Sequence, residues 1–309
     1  MTSGVPFPPG RRGAPTDGGR RARIFAGGLW PASRAAGLVL VALLSACGGS
    51  GETRSTEGGN GLTGTLMITG SSTVAPLASE IGRRFEEAHP GVRVDVQSGG
   101  SAQGLADLQR GLAQVAMVSR DLPEGSEDLQ VHPIALDGIA LVVHRENPVN
   151  ALGPDEVRDI FTGRVRDWSD VGGAPGPITV VNKAEGRGTL TAFLSYFELE
   201  TGDLQGQGVV GDNQHGIRSV AGNRGAVSYL SIGAVEQEME RRGAVRMVPL
   251  GTSTPSSSAV KAGEYPLVRS LDLVTRPEGD PLAEAYLDFI RSGVADDLFE
   301  ELGFVPAAG

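Results

Sequence analysis

From residue 62 onward, short apolar runs alternate with longer stretches in which apolar residues recur every three or four positions. Leu66-Met67-Ile68 is followed by Gly70-Ser71-Ser72-Thr73, and then Val74, Leu77, Ala78, Ile81 and Phe85 fall on one helical face. Residues 92–96 alternate as a strand does, before Gly99-Gly100-Ser101-Ala102-Gln103-Gly104 and a second helical stripe of Leu105, Leu108 and Leu112. Residues 115–118 and 139–143 read as buried strands, and residues 155–161 as a helix with Val157, Ile160 and Phe161 inward. Residues 178–181 form a strand leading into Gly186-Arg187-Gly188-Thr189 and a helix carrying Leu190, Phe193, Leu194 and Phe197. Two further strands (226–230, 271–275) and a closing helix (281–291) complete the pattern. Strands alternating with helices predict an α/β fold with a mostly parallel sheet.

The first 61 residues follow a different pattern. Arg20, Arg21, Arg23 and Arg34 precede an apolar run over 35–46, too short for the ~20 residues that span a bilayer. A basic segment before a short apolar run is the pattern of a secretory leader. It ends in Leu44-Ser45-Ala46-Cys47, which resembles the bacterial lipobox, where the cysteine is lipidated and becomes the mature N-terminus. Residues 48–61 offer no apolar side chain to bury and read as a flexible tether.

Charge sharpens that division. The chain carries 27 Lys+Arg against 37 Asp+Glu, and residues 1–46 hold six of the arginines and one acidic residue. The remainder therefore has 21 basic and 36 acidic groups, which excludes the basic face that nucleic-acid binding requires. With one cysteine, no disulfide can form within the chain. The four histidines are scattered, and no His-Glu-x-x-His, cysteine-rich spacing or nucleotide-binding glycine loop occurs, so no metal and no cofactor are expected.

Candidate chemistry sits at three strand-to-helix joints: residues 70–73, 99–104 and 186–189. Each sets Gly and hydroxyl residues where the first turn of a helix leaves N–H groups unpaired, and such a terminus attracts anions. In α/β sheets these joints lie at the carboxyl ends of strands, where ligands bind. Any one of them also reads as an ordinary helix cap. Trp168 and Tyr229 read as core aromatics.

Resemblance adds what spacing cannot. The segment Leu66-Met67-Ile68-Thr69-Gly70-Ser71-Ser72-Thr73-Val74-Ala75-Pro76-Leu77 resembles the opening motif of phosphate-binding proteins of ABC transporters. Further matches follow in order: His89-Pro90-Gly91-Val92, Ser98-Gly99-Gly100-Ser101, Val118-Ser119-Arg120-Asp121-Leu122 and Ala135-Leu136-Asp137-Gly138-Ile139-Ala140. After these come Ile160-Phe161-Thr162-Gly163, Asp167-Trp168, Gly225-Ala226-Val227-Ser228-Tyr229 and Gly303-Phe304-Val305-Pro306.

The resemblance implies a two-lobe periplasmic-binding-protein-like fold (type II), with a ligand cleft between lobes joined by two crossovers. The expected boundaries are a leader over 1–46, a tether over 47–61, a first lobe over 62–143 and a second over 144–268. Residues 269–309 return to complete the first lobe, with crossovers near Val143 and near Tyr265 to Arg269. The implied protein is a monomer anchored outside the cytoplasmic membrane through Cys47, delivering inorganic phosphate to the permease subunits of an ABC transporter.

Carried over residue by residue, the phosphate contacts fall on Ser72 and Thr73, on Ser101, on Ser119, and on Lys183, Gly188 and Thr189. The family pattern Arg-x-x-Gly-Ser-Gly-Thr stands here as Lys183-Ala184-Glu185-Gly186-Arg187-Gly188-Thr189. Lysine gives up the planar fork that grips an oxyanion at two points, and Arg187 is expected to supply it. Arg120 is either a ligand or an ion-pair partner of Asp121. A carboxylate in the site would accept the phosphate proton and repel sulfate, with Asp137 the expected residue and Asp121 its rival. The competing readings are a receptor for sulfate or molybdate, a lipoprotein that senses phosphate without transport, and a secreted phosphatase or esterase using Ser72 or Ser101 as nucleophile.

Overall fold

Leu66 and Ile68 point into the interior from β1 (Gly64–Gly70), and each is fully buried. The computed structural model describes residues 61–307 apart from Arg242. The leader, Cys47 and the tether up to residue 60 lie outside the described residues. β1 pairs in parallel with β2 (Val92–Ser98) and β3 (Val115–Val118). Two helices make the crossovers between these strands: α1 (Ala75–Ala88), which buries Leu77, Ala78, Ile81 and Phe85, and α2 (Ser101–Gln109).

The chain then enters β4 (Gln130–His144), whose 15 residues serve both lobes. Its first half pairs antiparallel with β9 (Val268–Thr275), which in turn lies against β3. Its second half lies between β7 (Ala226–Ser231) and β8 (Val245–Val248), both antiparallel. Outside β7 come β5 (Thr179–Lys183) and β6 (Gly208–Val210), in parallel. The strand order across both lobes is β2-β1-β3-β9-β4-β7-β5-β6. The helices of this second lobe are α3 (Pro154–Phe161), α4 (Gly188–Phe197), α5 (Asn213–Ala221), α6 (Ile232–Glu240) and the short α7 (Ser257–Lys261).

Each lobe has its own core. In the first, Leu66, Ile68, Leu77, Ile81 and Phe85 meet Tyr286 and Leu287 of α8 (Pro281–Arg291), so the end of the chain closes the lobe that its beginning opened. Tyr286 stands edge-on to Phe85 at 5.5 Å between ring centroids, and its hydroxyl donates to the Ala78 carbonyl at 2.9 Å. The last elements, α9 (Asp296–Glu301) and β10 (Val305–Pro306), stay with the first lobe, and β10 pairs with β4 at Ala135 and Leu136. In the second core, Phe193 stacks on Tyr229 at 3.9 Å, and Trp168 is buried with its indole N–H donating to the Gly225 carbonyl.

Two passages join the lobes. Along β4, Ala135 belongs to the first core and Ile139 to the second, and Val143 lies well inside the second. Near β9, Leu267 belongs to the second core and Leu271 to the first. The Ile139 N–H donates to the Leu267 carbonyl at 2.9 Å, so the two passages run side by side.

The expected mostly parallel sheet is instead mixed. Four pairings are parallel (β1–β2, β1–β3, β5–β6, β5–β7) and five are antiparallel. The parallel pairs belong to strand–helix–strand units, which local periodicity reveals. The antiparallel pairs all involve β4 or β9, the strands that carry the chain between lobes and meet partners distant in sequence.

Candidate functional site

The first lobe builds one wall of the site by tying three loops together through their backbones. Gly70 ends β1 at φ +134°, and a Cβ there would fall 2.2 Å from the Met117 carbonyl oxygen, so only glycine fits. The Gly70 carbonyl accepts from the N–H groups of Gly99 and Gly100, at 2.9 and 2.7 Å. The next residue, Ser71, donates its N–H to the Met117 carbonyl at 2.8 Å. The loops that follow β1, β2 and β3 are thereby fixed against one another.

Their hydroxyls converge. The Ser71 hydroxyl donates to Ser119 Oγ at 2.9 Å, and the Ser119 N–H donates to Ser101 Oγ at 3.1 Å. All three serines are buried. The second lobe meets this cluster with the first turn of α4. A Cβ at Gly188 would lie 2.4 Å from Ser119 Oγ and 2.9 Å from Ser101 Oγ, so only a bare backbone can approach this closely. Beside it the Ala102 N–H donates to the Gly186 carbonyl at 3.1 Å, a direct bond between lobes.

Arg269, at the start of β9, is the hub that joins these hydroxyls. Its Nη1 donates to Thr189 Oγ1 at 2.8 Å and reaches Ser119 Oγ at 3.5 Å, and its Nη2 donates to Thr73 Oγ1 at 3.1 Å. On its other edge, Nε and Nη2 both donate to Asp137 Oδ2, at 3.1 and 2.7 Å. The two residues are direct cross-strand partners on β9 and β4, and both side chains are almost fully buried. Burial pushes the Asp137 carboxyl upward, while Arg269, Ser231 and the Gly233 N–H favour its ionised form.

A second buried basic side chain closes the far side. Lys183, the last residue of β5, is 4% exposed, and its Nζ donates to Asn213 Oδ1 at 3.1 Å. Asn213 opens α5 and passes a bond from its Nδ2 to Thr73 Oγ1 at 3.3 Å, linking the second lobe to the first. No carboxylate lies within ion-pair distance of Lys183 among the described residues. Burial foremost, with Arg269 and Arg187 nearby, lowers its pKa to about 7.

Of the residues expected from the sequence, Thr73, Ser101, Ser119, Gly188 and Thr189 come together here, and Lys183 joins them through Asn213. Ser72 makes no side-chain hydrogen bond to this cluster among the described residues and lines, together with Thr73 and Asn213, a cavity of about 530 Å³. Arg120 reaches toward α4, where Nη1 meets Thr191 Oγ1 at the limiting distance of 3.5 Å; its buried Nε has no hydrogen-bond partner, and no ion pair joins it to Asp121 among the described residues. Asp137 sits behind Arg269 rather than among the loops, with Oδ1 accepting from the Ser231 hydroxyl at 2.8 Å. Arg187, half-buried at the N-cap of α4, lies between Gly100 of the first lobe and Gly211 of the second. Its guanidinium has no hydrogen-bond partner among the described residues.

Arg269, Asn213 and Ser71 are the members that sequence reasoning missed. Arg269 lies 132 residues from Asp137, and a lone arginine in a strand carries no spacing signal. Asn213 had a weak one, since Asp212-Asn213 opens a helix as an Asx cap does.

The arrangement suits a small tetrahedral oxyanion. Hydroxyls donate to oxyanion oxygens and accept an oxyanion's proton, and a guanidinium grips two oxygens at once. A family model described as a PBP superfamily domain matches residues 55–293. The chain belongs to the PBP superfamily.

Individual relatives agree with that superfamily assignment. The chain is 28% identical over 275 residues to the phosphate-binding protein PstS of Bacillus subtilis, covering 85% of this chain and 89% of that one. Among solved structures it superposes on a putative phosphate ABC transporter substrate-binding protein of Clostridium perfringens with bound phosphate, at a TM-score of 0.74 and 26% identity. That match covers 79% of this chain and all of the other. An ABC-type phosphate transport receptor of Vibrio cholerae gives a TM-score of 0.66 at 29% identity, with 78% of this chain and 99% of that one covered. By their descriptions these three relatives are phosphate-binding and phosphate-transport proteins.

Proposed function

We propose that this protein is an extracytoplasmic receptor that captures inorganic phosphate between its two lobes and delivers it to an ABC import permease. The observation that carries the reading is the buried Arg269 guanidinium, faced by Thr73 and Ser119 from the first lobe and by Thr189 from the second. Desolvating a small anion is costly unless many directed donors meet it, and this cluster supplies them from both lobes. The ligands in this reading are Thr73, Ser101, Ser119, Arg269, the Gly188 and Thr189 N–H groups, and the two cations Lys183 and Arg187. Asp137 acts through Arg269 as a positioning residue.

The arrangement supports capture over hydrolysis. Ser101 Oγ accepts from the Ser119 N–H at 3.1 Å and lies 3.4 Å from Ser119 Oγ, and neither an amide nor a second hydroxyl is a base that activates a serine as a nucleophile. Titration of the purified, ligand-free full-length chain with phosphate, sulfate and molybdate tests the reading. Saturable phosphate binding at a 1:1 ratio is expected, with the other two anions weaker. Absence of phosphate binding, or equal binding of all three, overturns it.

The anchor is a separate element of the proposal. Lipidation of Cys47 would hold the acidic body on its tether at the outer face of the membrane, as a lipid-modified N-terminus does. Cys47→Ala should move the protein into the soluble or secreted fraction. A variant that stays membrane-bound and uncleaved removes the anchor and leaves the ligand site untouched.

A further inference from the structure

Arg269 touches the hydroxyl cluster directly and Lys183 is joined to it through Asn213 and Thr73, yet their charges are balanced differently. Asp137 Oδ2 lies 2.7 Å from Arg269 Nη2, so the pair presents directed donors with little net charge. A divalent anion therefore needs positive charge from elsewhere. Lys183 is the buried candidate: its one described side-chain partner is the neutral Asn213 amide, leaving two of its three ammonium donors free for a ligand.

The charged and titratable groups around Lys183 come from five elements. Arg269 on β9 and Arg187 at the start of α4 disfavour its protonation, while Asp212 at the start of α5 and Asp137 on β4 favour it. Tyr229 on β7 accepts the Lys183 backbone N–H at 3.1 Å, and burial keeps its phenol protonated well above the usual range. None of these is a carboxylate in contact with Nζ, so burial dominates.

We propose that Lys183 is a chargeable anion ligand, so that capture of a divalent oxyanion draws a proton from solvent onto its Nζ. The inference rests on the receptor reading above and deepens it. In the empty site Lys183 is largely neutral above its lowered pKa of about 7, and a dianion alongside it favours the ammonium form. Binding then takes up close to one proton in the mildly alkaline range, and affinity falls as pH rises. An arginine at the same position, charged at every accessible pH, would bring no such coupling.

The test is calorimetric titration of the full-length chain with inorganic phosphate between about pH 8 and about pH 9.5, where the free ligand is already the dianion. Repeating it in buffers of different ionisation enthalpy counts the protons taken up. The wild type should take up about one proton per phosphate, and its dissociation constant should rise on the order of thirty-fold across that window. Lys183→Arg should take up none and hold its affinity within about threefold. Lys183→Met, which keeps the apolar stem, should bind weakly at every pH and approach the wild type at the alkaline end. A wild type with flat affinity and no proton uptake overturns the inference alone, as does a Lys183→Arg protein that keeps the slope. A wild type that binds no phosphate at any pH overturns the receptor reading as well.

Discussion

The two buried basic side chains of the cleft, one at the lobe crossover and one at the end of β5, show two ways to hold such a group inside a protein. Arg269 arrives with its counter-charge across the strand pair, and Asp137 holds its fork in one orientation. Lys183 arrives against a neutral amide, and its charge is set by burial. The first gives a fixed direction to the guanidinium fork. The second gives charge that appears when a ligand demands it. Fixed direction and adjustable charge are thus assigned to different residues, and arginine and lysine are the side chains that suit each task.

The largest effect should come from breaking the fixed pair. Arg269→Leu leaves the Asp137 carboxylate buried without its cation, which costs about 3–5 kcal/mol of stability. Phosphate affinity should fall by more than about a hundredfold, since three hydroxyls lose their common partner. The double variant Arg269→Met with Asp137→Leu should recover most of the stability in urea unfolding and none of the binding. Recovery of both would demote the pair to a structural element.

Lys183 should respond in the opposite sense. In the ligand-free protein its folded pKa of about 7 lies below the unfolded value, so the charged form is penalised at and below neutrality. The unfolded chain binds more protons from there to about pH 10, and this group's contribution to stability therefore rises with pH across that window. Lys183→Met should be more stable than the wild type by a few kcal/mol near pH 7, and the difference should vanish near pH 10. Denaturant unfolding of both proteins across the series measures this, and a difference independent of pH would show that the lysine is charged in the empty cleft.

Smaller effects separate the two residues that begin α4. Arg187→Ala should cost phosphate affinity about 2 kcal/mol, the scale of a lost charged hydrogen bond. Thr189→Ala should cost about 1 kcal/mol, the scale of a neutral one. An Arg187→Ala protein within about twofold of wild type, when Thr189→Ala is weaker, would show that Arg187 packs between Gly100 and Gly211 without touching the ligand.

Much of the fold was legible wherever structure follows from neighbours in sequence. Hydrophobic periodicity located β1, α1, β2, α2, α3, β5, α4 and α8, because each buries one face through local spacing. Periodicity overlooked β6, α5, α6 and β8, whose apolar stretches are short. The glycine loops were legible too, since a backbone approach such as that of Gly188 to Ser119 tolerates no side chain. Asp137 was singled out as an acceptor for a ligand proton from its place in the interior-strand motif before residues 139–143. Nothing local said that Arg269 faced it across the strand pair.

By itself, then, the sequence determined the alternating elements, the glycine and hydroxyl joints at their ends, and the acidic balance of the chain beyond residue 46. These depend on side-chain period, backbone freedom and charge count, all of which are local or additive. The tertiary structure alone decided the mixed pairing around β4 and β9, the partnership of Arg269 with Asp137, and the isolation of Lys183 beside Asn213. Those depend on which strands two distant passages of chain bring side by side, and so does the charge a buried group carries, because its environment is assembled from residues more than a hundred positions apart.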